Sequence, residues 1–188
     1  MKKPLSVILA LVLVLALFTA CEKVDHKENT STPSKQTVAL ETLAAAGKIP
    51  EMQFGIGATV DEVKKYYKDQ YDSDPNAMEL VEYEVDEYTK LDLGAYAYYY
   101  ETDNKAAGIV GVTAVDTAFG FTMNLTLVED VKAAAPADAV LTLTTADDLF
   151  FIPGGAPEGA QKLYINTGEY ELKLFFFNGY LSAVSLFD

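Results

Sequence analysis

The chain has 188 residues, of which 50% are hydrophobic and 12% aromatic, so it can fill a folded core and is not expected to be disordered. It has 28 Asp and Glu residues and 14 basic residues, all of them Lys, and it contains no Trp. The formal net charge of -14 repels phosphate backbones and excludes nucleic acid as an expected partner.

The first 20 residues are typical of a secretory signal peptide. Lys2 and Lys3 precede an apolar run over residues 5–18, which is too short to span a bilayer as a helix. Residues 17–21, Leu-Phe-Thr-Ala-Cys, resemble the lipobox of bacterial lipoproteins. The resemblance implies that Cys21, the only cysteine, carries a diacylglyceryl group and becomes the mature N-terminus. We therefore expect a lipid anchor on the extracytoplasmic face of the cell membrane; an ordinary signal peptide with an incidental cysteine is the alternative.

A flexible tether is predicted over residues 21–36, which are rich in Ser, Thr and charged side chains. The only histidine, His26, lies in this tether, where nothing orients it as a ligand or a base. A short helix is predicted next, from Thr37 to Gly47, with the glycine as its stop. Residues 51–188 carry eight Lys and 24 acidic residues, a net charge of -16, so the acidity belongs to the folded domain.

Two further helices begin with the same pattern. Thr59 can cap a helix while Glu62, three residues later, reaches back to it. The pattern recurs at Thr126 and Glu129, and Pro136 ends that helix. The apolar residues of the first of these helices form one stripe, which predicts its packing face: Val60, Val63, Tyr67 and Tyr71.

Strand-like runs follow each of these helices. Apolar and polar residues alternate over residues 81–86 and again over residues 141–144. A clearer repeat places residues 91–100 over residues 165–174 at an offset of 74, each with Asp or Asn two positions before a glycine. Each of these segments is followed by a turn and another strand, and the second turn is Asn178-Gly179, a strong hairpin signal.

These patterns predict an α+β domain over residues 37–188. It consists of two tandem repeats, about 51–116 and 117–188, each a helix followed by about three antiparallel strands. The repeats join near residues 116–124. The helix starts at Thr59 and Thr126 are 67 residues apart, whereas the later segments are offset by 74. This growth of the offset indicates extra residues in the second repeat, and residues 152–159, rich in Pro and Gly, are the expected place.

Several short motifs resemble one family. Besides the lipobox and the tether, they are Gly-Lys-Ile-Pro at 47–50, Phe-Gly-Ile-Gly-Ala-Thr at 54–59, Glu-Val at 62–63 and Leu-Ser-Ala-Val-Ser at 181–185. Together they resemble the YjgB-like lipoproteins of Gram-positive bacteria, a largely uncharacterised family.

The helix-and-strands repeat is also similar to the β-lactamase-inhibitor-protein-like fold and to outer-membrane assembly lipoproteins of the SmpA type. These resemblances imply a tandem-repeat fold and a protein-binding role without catalysis. One departure is that residues 69–75, Asp-Gln-Tyr-Asp-Ser-Asp-Pro, stand where these families usually carry Gly-x-Pro.

Most catalytic chemistries lack the residues that they require. The predicted domain has no His and no Cys, which excludes Ser-His-Asp and Cys-His sites and zinc sites built from those ligands. The absence of Arg excludes a bidentate guanidinium clamp. The glycine pair at 54–57 lacks the rest of a nucleotide-binding fingerprint. A carboxylate-based hydrolase such as a glycosidase remains open, although no pair of acids stands out.

An acidic segment offers a candidate calcium site. Its oxygen-bearing residues are Asp69, Asp72, Asp74 and Asn76. The last three occupy the first three ligand positions of a calcium loop, but the sixth position is Ala77 instead of glycine and the twelfth is Tyr83 instead of Glu. A solvated acidic loop is the alternative interpretation.

Aromatic residues offer a candidate binding surface. In the predicted strands they point to the face opposite the expected core residues Tyr98 and Tyr100. Two more lie beside the Pro- and Gly-rich loop. The candidates are Tyr99, Phe150, Phe151, Phe175 and Phe177. The alternative is that the aromatic strand residues fill the interior.

The sequence therefore predicts a membrane-anchored binding module of the cell envelope, with no enzymatic activity and no cofactor. Its expected partner is an envelope protein or another cationic partner, which it would contact through the sheet face and the loop at 152–159. A calcium- or cation-binding envelope module is the second hypothesis, and a carboxylate-based hydrolase is the third.

Overall fold

Two sets of consecutive strands form one sheet in the computed structural model, which describes residues 40–145, 148 and 157–188. Within these residues the helices are α1 (Leu40–Ala44), α2 (Val60–Ser73) and α3 (Val128–Ala134), with a 3-10 turn at Lys105–Ala107. Among the described residues, none of the helices has the length and apolar character needed to cross a membrane.

The large sheet has eight strands, all joined by antiparallel pairing. The strands of the first repeat are β1 (Val81–Val85), β2 (Tyr88–Asp92), β3 (Tyr96–Glu101) and β4 (Gly111–Ala114). A small hairpin, β5 (Thr117–Ala118) and β6 (Phe121–Thr122), follows them. The strands of the second repeat are β7 (Leu141–Leu143), β8 (Gln161–Asn166), β9 (Glu171–Phe177) and β10 (Tyr180–Phe187).

The order of the strands across the sheet is β1-β2-β3-β4-β10-β9-β8-β7. The last strands of the two repeats, β4 and β10, pair at the centre, and the first strands, β1 and β7, form the two edges. The α+β prediction with tandem helix-and-strand repeats is therefore confirmed, with four strands in each repeat of the sheet instead of about three. The β5–β6 hairpin lies where the repeats were expected to join.

The matched turns of the two repeats have the same geometry. Gly94 and Gly168 both adopt positive φ angles, +75° and +91°. In the first turn the backbone N–H of Gly94 donates to Oδ1 of Asp92 at 2.8 Å, and in the second the N–H of Gly168 donates to Oδ1 of Asn166 at 2.7 Å. The Asp or Asn two positions before the glycine thus stabilises the turn between two strands in each repeat.

The predicted cap of α2 is present. The backbone N–H of Glu62 donates to Oγ1 of Thr59 at 3.3 Å, and the Glu62 carboxylate accepts from the N–H of Thr59 at 3.2 Å. Helix α1 ends at Ala44, before the predicted end at Gly47, and residues 37–39 lie outside the described part of the chain. Gly47, with φ +64°, follows α1 as its predicted stop.

The predicted cap of α3 is wrong. The helix begins one residue later than expected, after Leu127, and no side chain caps it. The hydroxyl of Thr126 instead accepts a hydrogen bond from the backbone N–H of Thr122 at 3.0 Å. The physical reason is pairing with β10, since Leu127 forms a β-bridge with Tyr180 and holds the preceding chain extended.

One core lies between the helices and one face of the sheet. Residues from all three helices share a buried apolar cluster with Tyr98 and Tyr100, as expected for interior strand residues. The corresponding residues of the second repeat are Leu172, Leu174 and Phe176, which are also buried in this cluster. In α2 the predicted stripe is buried at its start, whereas Tyr71 near its end is exposed.

Candidate functional site

The opposite face of the sheet is not the exposed aromatic surface that the sequence suggested. Tyr99 is 2% exposed and Phe175 is 1% exposed, so the expectation that they form a contact surface is wrong. The ring of Phe187 lies over Gly111, where a Cβ atom on the glycine would come within 2.1 Å of that ring. The centroid of the Phe187 ring is 5.3 Å from the centroid of the Tyr99 ring. The glycine makes room for this packing, which buries Tyr99.

Phe177 is exposed, as the binding-surface hypothesis requires. It lies at the end of β9, is 37% exposed and pairs in register with the exposed Tyr180. Leu125 and Leu127 are also exposed near this end of the sheet. The other two surface candidates, Phe150 and Phe151, lie outside the described residues, as does the predicted lipid-attachment residue Cys21.

The calcium candidates do not converge. Asp69 and Asp72 lie within α2, where each carboxylate pairs with the lysine four residues earlier. The carboxylate of Asp74 accepts hydrogen bonds from the backbone and the side chain of Asn76. In the described ranges, no group of three or more acidic, His or Cys side chains is arranged to hold a metal ion.

A groove of about 580 Å³ lies on the first repeat. It lies between α2, the segment before it and the turn after β2. We call it the tyrosine groove. It is lined by Lys48, Pro50, Glu51, Met52, Gln53, Tyr66, Tyr67, Gln70, Ala77, Met78, Leu93, Ala95 and Tyr96.

Aromatic rings build one wall of this groove. The centroid of Tyr66 lies 5.4 Å from that of Phe54 and 5.1 Å from that of Tyr67, both in edge-to-face geometry. Behind them, the hydroxyls of Tyr67 and Tyr98 are 2.8 Å apart, and the backbone N–H of Phe54 donates to Tyr98 at 3.4 Å. The wall is therefore fixed by ring packing and by a partly buried hydroxyl pair.

The hydroxyls of Tyr67 and Tyr98 lie in a partly buried environment. Burial raises the pKa of Tyr67 well above its ordinary value of 10, and the hydrogen bond with Tyr98 raises it further. Burial also raises the pKa of Tyr98. Both hydroxyls make hydrogen bonds within the protein.

The charged groups of the tyrosine groove have partners within the protein. The carboxylate of Glu51 accepts the backbone N–H groups of Phe119 and Gly120 at 2.9 and 2.7 Å, which ties the groove to the β5–β6 hairpin. The ammonium group of Lys48 donates to the backbone carbonyl of Gln53 at 3.0 Å. The exposed amides of Gln53 and Gln70 add uncharged donors and acceptors to the lining.

Sequence reasoning missed this groove because its residues come from three separate segments, 48–53, 66–78 and 93–96. Only the stripe of α2 carried a signal, since Tyr67 belongs to it. Tyr66 lies next to that stripe and has no periodic signature of its own.

Fold and groove together define an α+β protein in which two tandem repeats share one antiparallel sheet and the first repeat bears an open, tyrosine-lined groove. Among solved structures, the chain is similar to that of YjgB, a DUF4309 family protein from Bacillus subtilis subsp. subtilis str. 168. The two are 16% identical, the match covers 80% of this chain and 94% of that chain, and the TM-score is 0.47. This neighbour belongs to the family that the sequence motifs resemble, which is a domain family of unknown function. No family model and no curated protein matches the chain.

Proposed function

We propose that this protein is a binding module without catalytic activity, anchored through a lipid on Cys21 at the extracytoplasmic face of the bacterial cell membrane. The observation that supports the binding role is the tyrosine groove. Its volume of about 580 Å³ lies within the range of roughly 300–1,000 Å³ that is common for ligand sites. The lipid anchor rests on the sequence around Cys21.

The chemistry of the groove favours binding over bond cleavage. Burial raises the pKa of Tyr67 well above its ordinary value, which keeps its hydroxyl protonated, and the carboxylate of Glu51 accepts two backbone N–H groups. A general base or nucleophile would need an available titratable group within reach of the substrate. Rings and amides instead provide apolar contact and uncharged hydrogen bonds.

The occupant that best fits this lining is an extended segment of an envelope protein. An apolar side chain of such a segment would contact the rings of Tyr66 and Tyr96, and its backbone would exchange hydrogen bonds with the amides of Gln53 and Gln70. The net charge of -16 over residues 51–188 favours a cationic partner by long-range attraction.

The proposal is tested by photo-crosslinking in cells that produce the full chain. A photoreactive phenylalanine analogue replaces Gln70 at the tyrosine groove or, as the matched control, Asp138, which lines a smaller cavity of about 270 Å³ in the second repeat. We expect a discrete protein adduct from position 70 only. The further substitution Met78→Glu, which places a charge on an exposed residue of the groove, should remove that adduct.

Two outcomes would overturn the proposal. Adducts of equal yield from positions 70 and 138 would show non-specific proximity. An adduct from position 70 that persists with Met78→Glu, at an unchanged melting temperature, would show that the partner does not enter the groove.

A further inference from the structure

The first strand of the sheet has one unpaired edge. Strand β1 pairs with β2 in a continuous register from Val81↔Asp92 to Val85↔Tyr88, and no described strand lies on its other side. Alternate residues of such an edge direct their backbone N–H and C=O groups away from the sheet, where another strand can bind them. Val81 is 54% exposed and Tyr83 is 41% exposed, so this edge also offers apolar surface.

The edge is strongly acidic. Residues 79–87 contain five acidic residues and no lysine, namely Glu79, Glu82, Glu84, Asp86 and Glu87. The carboxylate of Glu82 pairs with Lys64 of α2 at 2.6 Å, and Glu84 is exposed. Two β1 strands from different copies would bring like charges together, which disfavours a second copy as the occupant.

The side chains of β1 alternate between the two faces of the sheet. Glu82 and Glu84 point to the face that carries α2, since Glu82 bonds to Lys64 from that helix. Val81 and Tyr83 point to the opposite face, where the hydroxyl of Tyr83 donates to Asp92 at 2.8 Å. An added strand would therefore meet carboxylates on one face and apolar side chains on the other.

The other edge of the sheet provides a contrast. Strand β7 has three residues, and residues 139–145, Ala-Val-Leu-Thr-Leu-Thr-Thr, carry no charge. If acidic side chains served only to protect edges from pairing, β7 would need them as much as β1 does. The charge on β1 is thus a property of that edge and not of the sheet in general.

We propose that β1 is a docking edge for an extended segment of another protein in which Lys and apolar residues alternate. The segment adds to the sheet beside β1. Its backbone pairs with the outward N–H and C=O groups, its lysines lie on the face of Glu82 and Glu84, and its apolar residues lie on the face of Val81 and Tyr83. This inference does not depend on the tyrosine groove, because no residue of β1 lines that groove.

The test uses a fluorescent eight-residue peptide of alternating Lys and Val, titrated with the full chain in neutral detergent and followed by anisotropy. A second peptide has the same sequence and charge but carries N-methyl groups on the backbone nitrogens that would face β1. We expect the N-methylated peptide to bind roughly tenfold more weakly, as the loss of backbone hydrogen bonds implies. Equal affinity of the two peptides would overturn strand addition and leave only diffuse electrostatic attraction.

Paired protein variants locate the edge that the peptide uses. Glu84→Pro removes a backbone donor that points away from β2, and Leu143→Pro removes an outward donor from β7; proline is tolerated at such positions of edge strands. Binding should fall with Glu84→Pro and remain with Leu143→Pro. Glu84→Lys provides a second variant at an exposed position and should also weaken binding. The proposal fails if Leu143→Pro has the larger effect, if neither β1 variant weakens binding at an unchanged melting temperature, or if sedimentation shows a dimer that Glu84→Pro dissociates.

Discussion

The two repeats form the two edges of one sheet, and these edges differ in length and in charge. Strand β1 has five residues within an acidic segment, whereas β7 has three residues within an uncharged one. The helices differ in the same sense, since α2 has 14 residues and a capping box and α3 has seven and no side-chain cap. The first repeat thus has the longer helix and edge strand, whereas the central strand β10, with eight residues, is longer than β4, with four.

The interiors of the two repeats remain similar. Leu91 of β2 and Ile165 of β8 occupy matching positions before the shared turn, and both are buried in the common core. Among the described residues, the repeats differ in the lengths of their helices and edge strands.

The largest expected effect comes from breaking this shared interior. Leu91→Ala and Ile165→Ala should each cost about 2–5 kcal/mol, the usual range for emptying a buried aliphatic site. Because the repeats share one core and one sheet, both variants should shift the same single unfolding transition in urea. Leu143→Ala, at a residue that is 66% exposed, is the control and should change stability by less than about 0.5 kcal/mol. Two separate transitions, each shifted by one variant only, would show that the repeats fold independently.

Substitutions at the starts of α2 and α3 should reduce stability by different amounts. Thr59→Ala removes the capping box of α2 and should cost about 1 kcal/mol. Thr126→Ala removes only an acceptor for the N–H of Thr122 and should cost about 0.5 kcal/mol. Denaturant unfolding measures both, and amide exchange should show fraying of the first turn only in α2. Equal fraying of α3 in Thr126→Ala would mean that Thr126 does cap that helix.

The matched turns offer a pH-dependent comparison. Burial acts to raise the pKa of Asp92, but hydrogen bonds from Lys90, the backbone of Gly94 and Tyr83 outweigh it and hold that pKa below 3.8. A lowered pKa in the folded state stabilises the protein above the unfolded value of about 3.9, and this contribution is lost as the pH falls through the folded value. Asp92→Asn should therefore reduce the free energy of unfolding by up to about 1 kcal/mol at pH 7, because solvent partly screens the ion pair between Lys90 and Asp92. At a pH below the folded pKa of Asp92, the substitution should have no effect on stability.

The control for this comparison is Asn166→Asp in the second repeat. Its neighbour on the strand is Tyr164, at the position where the first repeat has Lys90, and Glu171 of β9 lies directly opposite, so the new carboxylate meets a like charge. Unfolding by urea between pH 2 and pH 7 measures both variants. A stability gain at pH 7 from Asn166→Asp as large as the loss from Asp92→Asn would contradict the role assigned to Lys90.

The smallest expected effect concerns calcium. Since Asp69 and Asp72 pair with lysines along α2 and Asp74 bonds to Asn76, millimolar calcium should leave the melting temperature unchanged relative to a chelator. Calorimetry of the full chain in the two conditions measures this. A rise of several degrees with calcium that Asp74→Asn removes would favour the cation-binding hypothesis.

Local patterns made much of this fold predictable. The turns at Gly94 and Gly168 and the cap at Thr59 depend on residues within a few positions of one another, so the sequence displays them directly. The second cap was predicted wrongly because pairing between Leu127 and Tyr180, far apart in the chain, overrides the local signal.

The candidate binding site was harder to predict from the sequence than the fold. Alternation along β3 correctly separates Tyr98 from Tyr99, but it does not show that Phe187 covers the second face above Gly111. Nor does alternation distinguish an edge from a central strand, so the exposure of Val81 and Tyr83 required the strand order. The tyrosine groove depends on the same long-range arrangement.

The contrast between the two edges is tested most directly by backbone hydrogen exchange of the full chain with and without the alternating Lys and Val peptide. Exchange at an edge amide slows when a new strand accepts its hydrogen bond. The account predicts that the peptide slows exchange within Val81–Val85 and leaves Leu141–Leu143 unchanged. Slowing at both edges, or slowing at Leu141–Leu143 alone, would contradict it.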